Sequence, residues 1–224
     1  MELLIRIGAR GLIAVVRPWS RDFRALVDEL RSTPIPPISV YLINSLVVGE
    51  DHRFWTHCGV DLWALARAMF RTVVIRKREG ASTIPQQLVR VVTGRYEITI
   101  RRKIRETAFA VALGDFVKRA DILALYLVKG YYGWEMSGLF QACARLQISP
   151  TTAGPFEAAN LVARLRYPEP QSNLSTVHTR IERRTQHILN RLALAEHRSQ
   201  AIGYKPAGKL LRGVPLNTNL PQSK

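Results

Sequence analysis

Apolar residues recur at three- and four-residue steps along almost all of this 224-residue chain. No stretch alternates apolar with polar residues long enough to make a useful strand. That periodicity predicts an all-α domain. Ser20 is placed to cap a helix carrying Phe23, Leu26, Val27 and Leu30, which Pro34, Pro36 and Pro37 stop. Residues 38–49 read as a buried helix delivering Glu50. Asp61 caps a helix with Leu62, Leu65, Ala66, Met69, Phe70, Val73 and Val74 on one stripe, running into Arg76, Lys77 and Arg78. Gly80 marks a loop, and Pro85 suits the helix start after it. Further helices are expected over 100–117, 119–129, 156–166 and about 176–198. Gly130, Gly133 and Gly138 mark a turn region, and the last twenty or so residues read as a loose tail.

With 47% apolar and 22% charged residues, the chain is no disordered polyelectrolyte. Its two cysteines, Cys58 and Cys143, exclude a disulfide framework and a four-cysteine zinc site; two unlinked buried thiols are expected. The formal charge is +16, carried by 26 Arg and 7 Lys spread along the chain. Such a charge calls for an anionic partner: nucleic acid, a membrane face or a phosphorylated substrate. No DNA- or RNA-binding motif is present, so nucleic acid is not expected.

Residues 1–16 resemble a membrane segment, yet a span needs about 20 apolar residues and Arg6 and Arg10 interrupt this one. No small-residue cleavage site for a signal peptide follows. An interfacial amphipathic helix fits better, with a shortened anchor and an ordinary core helix as alternatives.

Four segments carry chemistry. Glu50 and Asp51 follow an apolar helix, with Phe54, His57 and Gly59 one to two turns on. A carboxylate at such a mouth is set up as a general acid or base, although acidic pairs also cap helices. Gly80-Ala81-Ser82-Thr83-Ile84-Pro85-Gln86-Gln87 precedes and opens a helix, a setting for a pyrophosphate or simply for a cap, with Arg90 one turn further. Arg102, Lys103 and Glu106 share a helix face, as a plain i,i+4 pair or as a carboxylate set among cations beside a phosphate site. Ile122, Leu123, Tyr126 and Leu127 form the fourth segment.

In this order and spacing, the segments closely resemble the glycosyltransferase 51 family, the peptidoglycan glycosyltransferase of class A penicillin-binding proteins and monofunctional transglycosylases. Glu50, Asp51, Phe54, His57 and Gly59 match its first motif, Gly80 through Arg90 its second, Arg102, Lys103 and Glu106 its third, and Ile122, Leu123, Tyr126 and Leu127 its fourth. A looser fifth region covers Ala158–Leu161 through Pro168 and Arg183-Arg184. The departures are Val128 in place of Asn, Arg119 in place of Lys (or Lys118, with a one-residue shift), and Arg90 where Lys is frequent.

The resemblance implies a lysozyme-like head with a smaller membrane-contacting jaw, in the monofunctional form. It implies polymerisation of lipid II into β-1,4-linked glycan with inversion and release of undecaprenyl pyrophosphate. Glu50 would be the general base. Glu106 would be the second catalytic carboxylate, ordering the cations or holding a divalent metal, Mg or Mn; no organic cofactor is implied. Asp51, Phe54, His57, Gly80, Ser82, Thr83, Gln86, Gln87, Arg90, Arg102, Lys103 and Tyr126 would bind substrate. The implied partners are lipid II, the growing glycan, an anionic membrane surface and other cell-wall synthesis proteins, at the outer face of a bacterial cytoplasmic membrane. The expected division is an N-terminal membrane-proximal segment over 1–37, a glycosyltransferase domain over 38–198 and a tail over 199–224. A glycan-cleaving lysozyme-like enzyme and an inactive lipid II-binding scaffold are the alternatives.

Overall fold

The computed structural model describes residues 1–74, 76, 80–172 and 174–201. Among these the chain forms α1 (Glu2–Val15), α2 (Arg17–Ser32), α3 (Val40–Glu50), α4 (Leu62–Val74), α5 (Ile84–Thr93), α6 (Ile100–Leu113), α7 (Arg119–Lys129), α8 (Leu139–Leu146), α9 (Pro155–Arg166) and α10 (Leu174–Ala201). A single 3₁₀ turn spans Phe54–Thr56. The fold is all-α, as the periodicity predicts. Lys77, Arg78 and residues 202–224 of the expected tail lie outside the described residues.

α3 sits at the centre, packed on α9, α10 and α7. Its Leu42 and Leu46 are fully buried with Phe54, Ile84, Leu88, Phe109, Leu123, Leu127, Leu161 and Ile188. Each such side chain contributes about 1.5–3 kcal/mol of burial. The amphipathic α2 lays Trp19, Phe23, Leu26, Val27 and Leu30 into the same core. Phe23 meets Phe109 edge-on at 5.2 Å and Phe116 at 5.5 Å between centroids.

One local expectation needs correction, and two elements go beyond what the sequence signalled. α2 begins at Arg17, with extended Val16 as its cap and Pro18 in its first turn; Ser20 lies inside the helix and its hydroxyl donates to the Arg17 carbonyl. Pro18 presets helical φ where no intrahelical N–H bond is needed, so it outcompetes the serine as the start signal. The glycine-rich stretch forms a small hairpin, β1 (Tyr131–Gly133) with β2 (Met136–Ser137). Gly133 has φ +140°, and a Cβ there would stand 2.4 Å from the Glu169 carbonyl, so only glycine permits this close approach. α8 had no sequence signal of its own: eight residues bury only Leu139, Ala142 and Cys143, too few for a legible period.

α1 packs on α6 and α2. Ala9 and Ile13 are buried, whereas Leu3, Leu4, Ile7 and Val15 are exposed. Arg6 and Arg10 both pair with Asp115, at 2.9 and 2.7 Å, so this helix turns its cations towards the protein and its oil outwards. α4 is likewise exposed along Leu62, Trp63, Leu65, Met69, Phe70 and Val74, and Ala68 is its buried described side chain. Its apolar stripe is thus an outer surface rather than a core face. Cys58 and Cys143 are free and buried.

Candidate active site

The loop from Glu50 to Asp61 is fixed from within. The Asp51 carboxylate is buried and accepts from His57 Nε2 at 3.0 Å and from the Ile84 N–H at 3.1 Å. The Gly59 N–H donates to His57 Nδ1 at 3.1 Å. Gly59 has φ +115°, and a Cβ would come within 2.4 Å of the Ala110 carbonyl. The Thr83 hydroxyl donates to the Gly59 carbonyl at 2.6 Å. The first two motifs are therefore stitched together across the start of α5, with Pro85 in its first turn and the Thr83 N–H donating to Gln86 Oε1. Arg119 stacks over the fully buried Phe54 ring at 4.8 Å and donates to the Phe54 and His57 carbonyls.

This scaffold holds two carboxylates in different settings. Glu50, at the end of α3, has a side chain only 7% exposed. Its Oε1 accepts from Arg184 at 3.1 Å and its Oε2 lies 3.5 Å from Gln87 Nε2. Gln87 is steadied by the Tyr126 hydroxyl, which donates to its Oε1 at 2.7 Å. Burial pushes the Tyr126 phenol well up, so it stays a donor.

Glu106 lies on α6, its side chain 3% exposed. Arg90 embraces it with two bonds of 3.0 and 3.1 Å, Lys103 adds one of 2.7 Å, and Arg102 binds it one turn away. Burial works against the Glu106 charge, but Arg90 and Lys103 outweigh it and hold the carboxyl below its ordinary value. Burial lowers Lys103, opposed by Glu106, while the hydrogen bond to Glu106 raises Arg90. Ser82 Oγ accepts from Arg90 at 3.3 Å and Lys103 at 3.1 Å. Gln87 Nε2 also reaches the Ser82 carbonyl at 3.5 Å, so a continuous polar path joins Glu50 to the cation cluster. Three cations against one carboxylate leave a formal surplus of +2 here.

Of the residues expected to bind substrate, Ser82, Gln87, Arg90, Arg102, Lys103 and Tyr126 come together around the two carboxylates. Asp51, Phe54, His57, Thr83 and Gln86 are buried, and their contacts hold the loops. Gln86 Nε2 donates to Thr107 Oγ1 at 2.8 Å. Gly80 is exposed, with Arg166 as the nearest neighbour a Cβ would meet. The Glu106 oxygens are occupied by cationic side chains, so neither is free for a divalent ion. Among the described residues no group of three or more His, Cys, Asp or Glu could hold a metal. Sequence reasoning passed over Arg184 and Arg119 as site residues; both were visible only as basic residues in loosely matching stretches.

A family model described as transglycosylase matches residues 23–193. The chain belongs to the transglycosylase family. Penicillin-binding protein 1A of Rickettsia prowazekii is 28% identical over 188 residues, which is 80% of this chain and 24% of that protein. The protein of the same name from Haemophilus influenzae is 39% identical over 119 residues, 52% of this chain and 14% of that one. That from Vibrio cholerae is 27% identical over 187 residues, 80% and 22% respectively. The chain thus spans about a quarter or less of the curated relatives it matches. The transglycosylase match begins inside α2, so α1 precedes it.

Proposed function

We propose that this transglycosylase domain polymerises lipid II into β-1,4-linked glycan, inverting the donor carbon and releasing undecaprenyl pyrophosphate. The observation that carries this reading is the contrast between the two carboxylates. Glu50 is held by one arginine and one amide, placed to take the proton of the acceptor hydroxyl as that oxygen attacks the donor carbon. Glu106 does no proton transfer. It gathers Arg90, Arg102 and Lys103 into an array with surplus positive charge. A pyrophosphate leaves as an anion and needs neutralisation more than a proton, which this array supplies with Ser82 beside it. No step is routed through a divalent cation, because the carboxylate that would hold it is saturated by cations.

The same contrast disfavours glycan cleavage. A lysozyme-like cut needs a carboxyl kept protonated to donate to the leaving sugar oxygen. The cations around Glu106 enforce the opposite state. An inactive scaffold is disfavoured because the polar path from Glu50 to Glu106 is complete without Val128. That residue packs against the core, and none of the described bonds to either carboxylate passes through it.

The exposed apolar residues of α4 and the net charge of +16 support a membrane face, with Trp63, Met69 and Phe70 in lipid and basic residues at headgroups. No helix among the described residues is long and apolar enough to cross a membrane. The function is tested by incubating fluorescent lipid II with wild type and Glu50→Gln and separating the products on a gel. A glycan ladder from wild type alone is expected; a ladder from both removes Glu50 as the base, and none from a folded wild type removes the polymerase reading.

A further inference from the structure

The outward face of α1 is apolar. Leu4, Ile7, Gly8, Gly11, Leu12 and Val15 are all exposed. At 3.6 residues per turn they share an arc of about 140°. Ala9 and Ile13, buried, lie on the other side, where Arg6 and Arg10 meet Asp115. The order of residue types along the outward face reads alike from both ends. About the midpoint between Ala9 and Arg10, Gly8 mirrors Gly11, Ile7 mirrors Leu12 and Leu4 mirrors Val15. Two copies of α1 laid antiparallel about that point set each residue against its mirror mate, the self-complementarity that a twofold interface requires. Glycine then meets glycine at the crossing, with apolar side chains meeting on either side.

The glycines decide what covers this face. Glycine weakens an exposed helix interior more than any residue but proline. A Cβ at Gly8 or Gly11 would meet nothing within 4 Å, so the chain's own packing does not ask for glycine at either position. A second helix does, since small residues at a crossing let two backbones approach closely. A lipid surface does not, and it favours a helix whose cations reach headgroups. Arg6 and Arg10 are instead committed to Asp115. With 14 residues, α1 is about 21 Å long. One face of such a helix falls well short of the about 800 Å² per partner of a standard interface, so the association is weak and concentration-dependent.

We propose that the outward face of α1 is a self-association surface, on which a second copy of the chain packs its own α1 in antiparallel register, crossing at Gly8 and Gly11. The inward face of α1 packs on α6, the helix that bears Glu106. The two copies are therefore joined one helix away from their candidate active sites.

Sedimentation of the full chain over a range of concentrations is the first test. Wild type is expected to associate reversibly, and Gly8→Leu/Gly11→Leu at least tenfold more weakly. The melting temperature of the dilute variant should be no lower, because leucine suits a helix and both positions have open space in the single copy. A wild type that stays monomeric, or equal association in the two proteins, overturns the proposal. A monomeric wild type whose leucine variant binds phosphatidylglycerol vesicles more tightly assigns the face to lipid instead. The register is then read by mixing Leu4→Cys and Val15→Cys proteins under a mild oxidant, which takes the hydrogens of two thiols as one disulfide forms. Mixed dimers are expected in at least tenfold excess over either homodimer. In this register the two copies of position 4 lie about 16 Å apart along the helices, beyond the reach of a disulfide. Wild type, with Cys58 and Cys143 buried, gives the background. Homodimers in excess, or no disulfide above that background, overturn the antiparallel pair.

Discussion

Arg184 donates to Glu50 Oε1 at 3.1 Å from a helix 134 residues further along the chain. It also donates to the carbonyl of Gly49, so one guanidinium fixes both the side chain and the backbone at the end of α3. Glu50 is in this way aimed before any substrate arrives. As the proposed general base, Glu50 would contribute about 10²–10⁴-fold, and misaiming it would forfeit part of that. Arg184→Ala is expected to lower kcat by about ten- to a hundredfold with KM changed less. Arg184→Lys, which keeps the charge but loses the fork, should fall between. Steady-state polymerisation rates against substrate concentration check this; a pure KM effect would show that Arg184 binds rather than aims.

Glu106 stabilises the fold as an anion. Its carboxyl titrates below its ordinary value in the folded chain, so its contribution is complete above about pH 4.3, the unfolded value. The contribution is lost as pH falls from there through the folded value. Melting temperature measured from pH 7 down to 3 should drop in this window, and Glu106→Gln should lack that component. At pH 7 the variant should be less stable by about 2–3 kcal/mol, near the low end for breaking a buried pair because Lys103 is 38% exposed. Added inorganic pyrophosphate should recover part of the loss by replacing the missing anion. A Glu106→Gln protein with an unchanged acid profile would remove the cluster as the cause.

The stitching of the first motif predicts stability effects without any substrate. Gly59→Ala drives a methyl group into the Ala110 carbonyl and demands a positive φ from alanine. A loss of about 3 kcal/mol or more is expected, measured by urea unfolding. Asp51→Asn weakens the bonds to His57 and the Ile84 N–H and should lose about 1–3 kcal/mol. Wild-type midpoints for both variants would mean that the loop is not held as described.

Trp63→Ser with Phe70→Ser should reduce flotation with anionic vesicles several-fold while leaving the melting temperature nearly unchanged, since both side chains are exposed. Equal flotation would shift membrane contact away from α4.

The helices were legible wherever a long apolar stripe met a core, as in α2 with Phe23, Leu26, Val27 and Leu30. α8 was not, because two turns cannot display a period. The β1–β2 hairpin rests on Gly133 meeting Glu169, a contact between residues 36 positions apart that no local pattern records. The site was legible in its residue types. What each residue does was less so: Asp51 and His57 read the same whether they face a substrate or each other, and only the fold shows them bonded together. Arg184 was legible only as part of the loosest stretch of the family resemblance, and its bond to Glu50 shows only in the fold.

The first helix holds a different consequence. α1 is attached through two partly exposed ion pairs to a single carboxylate, Asp115, and through the small footprint of Ala9 and Ile13. Exposed pairs of this kind contribute about 0.2–1 kcal/mol each and fade as salt shortens the Debye length. Ile13, Ala9 and the half-buried Ile5 carry most of this mooring, and the ion pairs add a part that brine removes. The ionic strength of the medium then trims how firmly the first turns of the chain are moored.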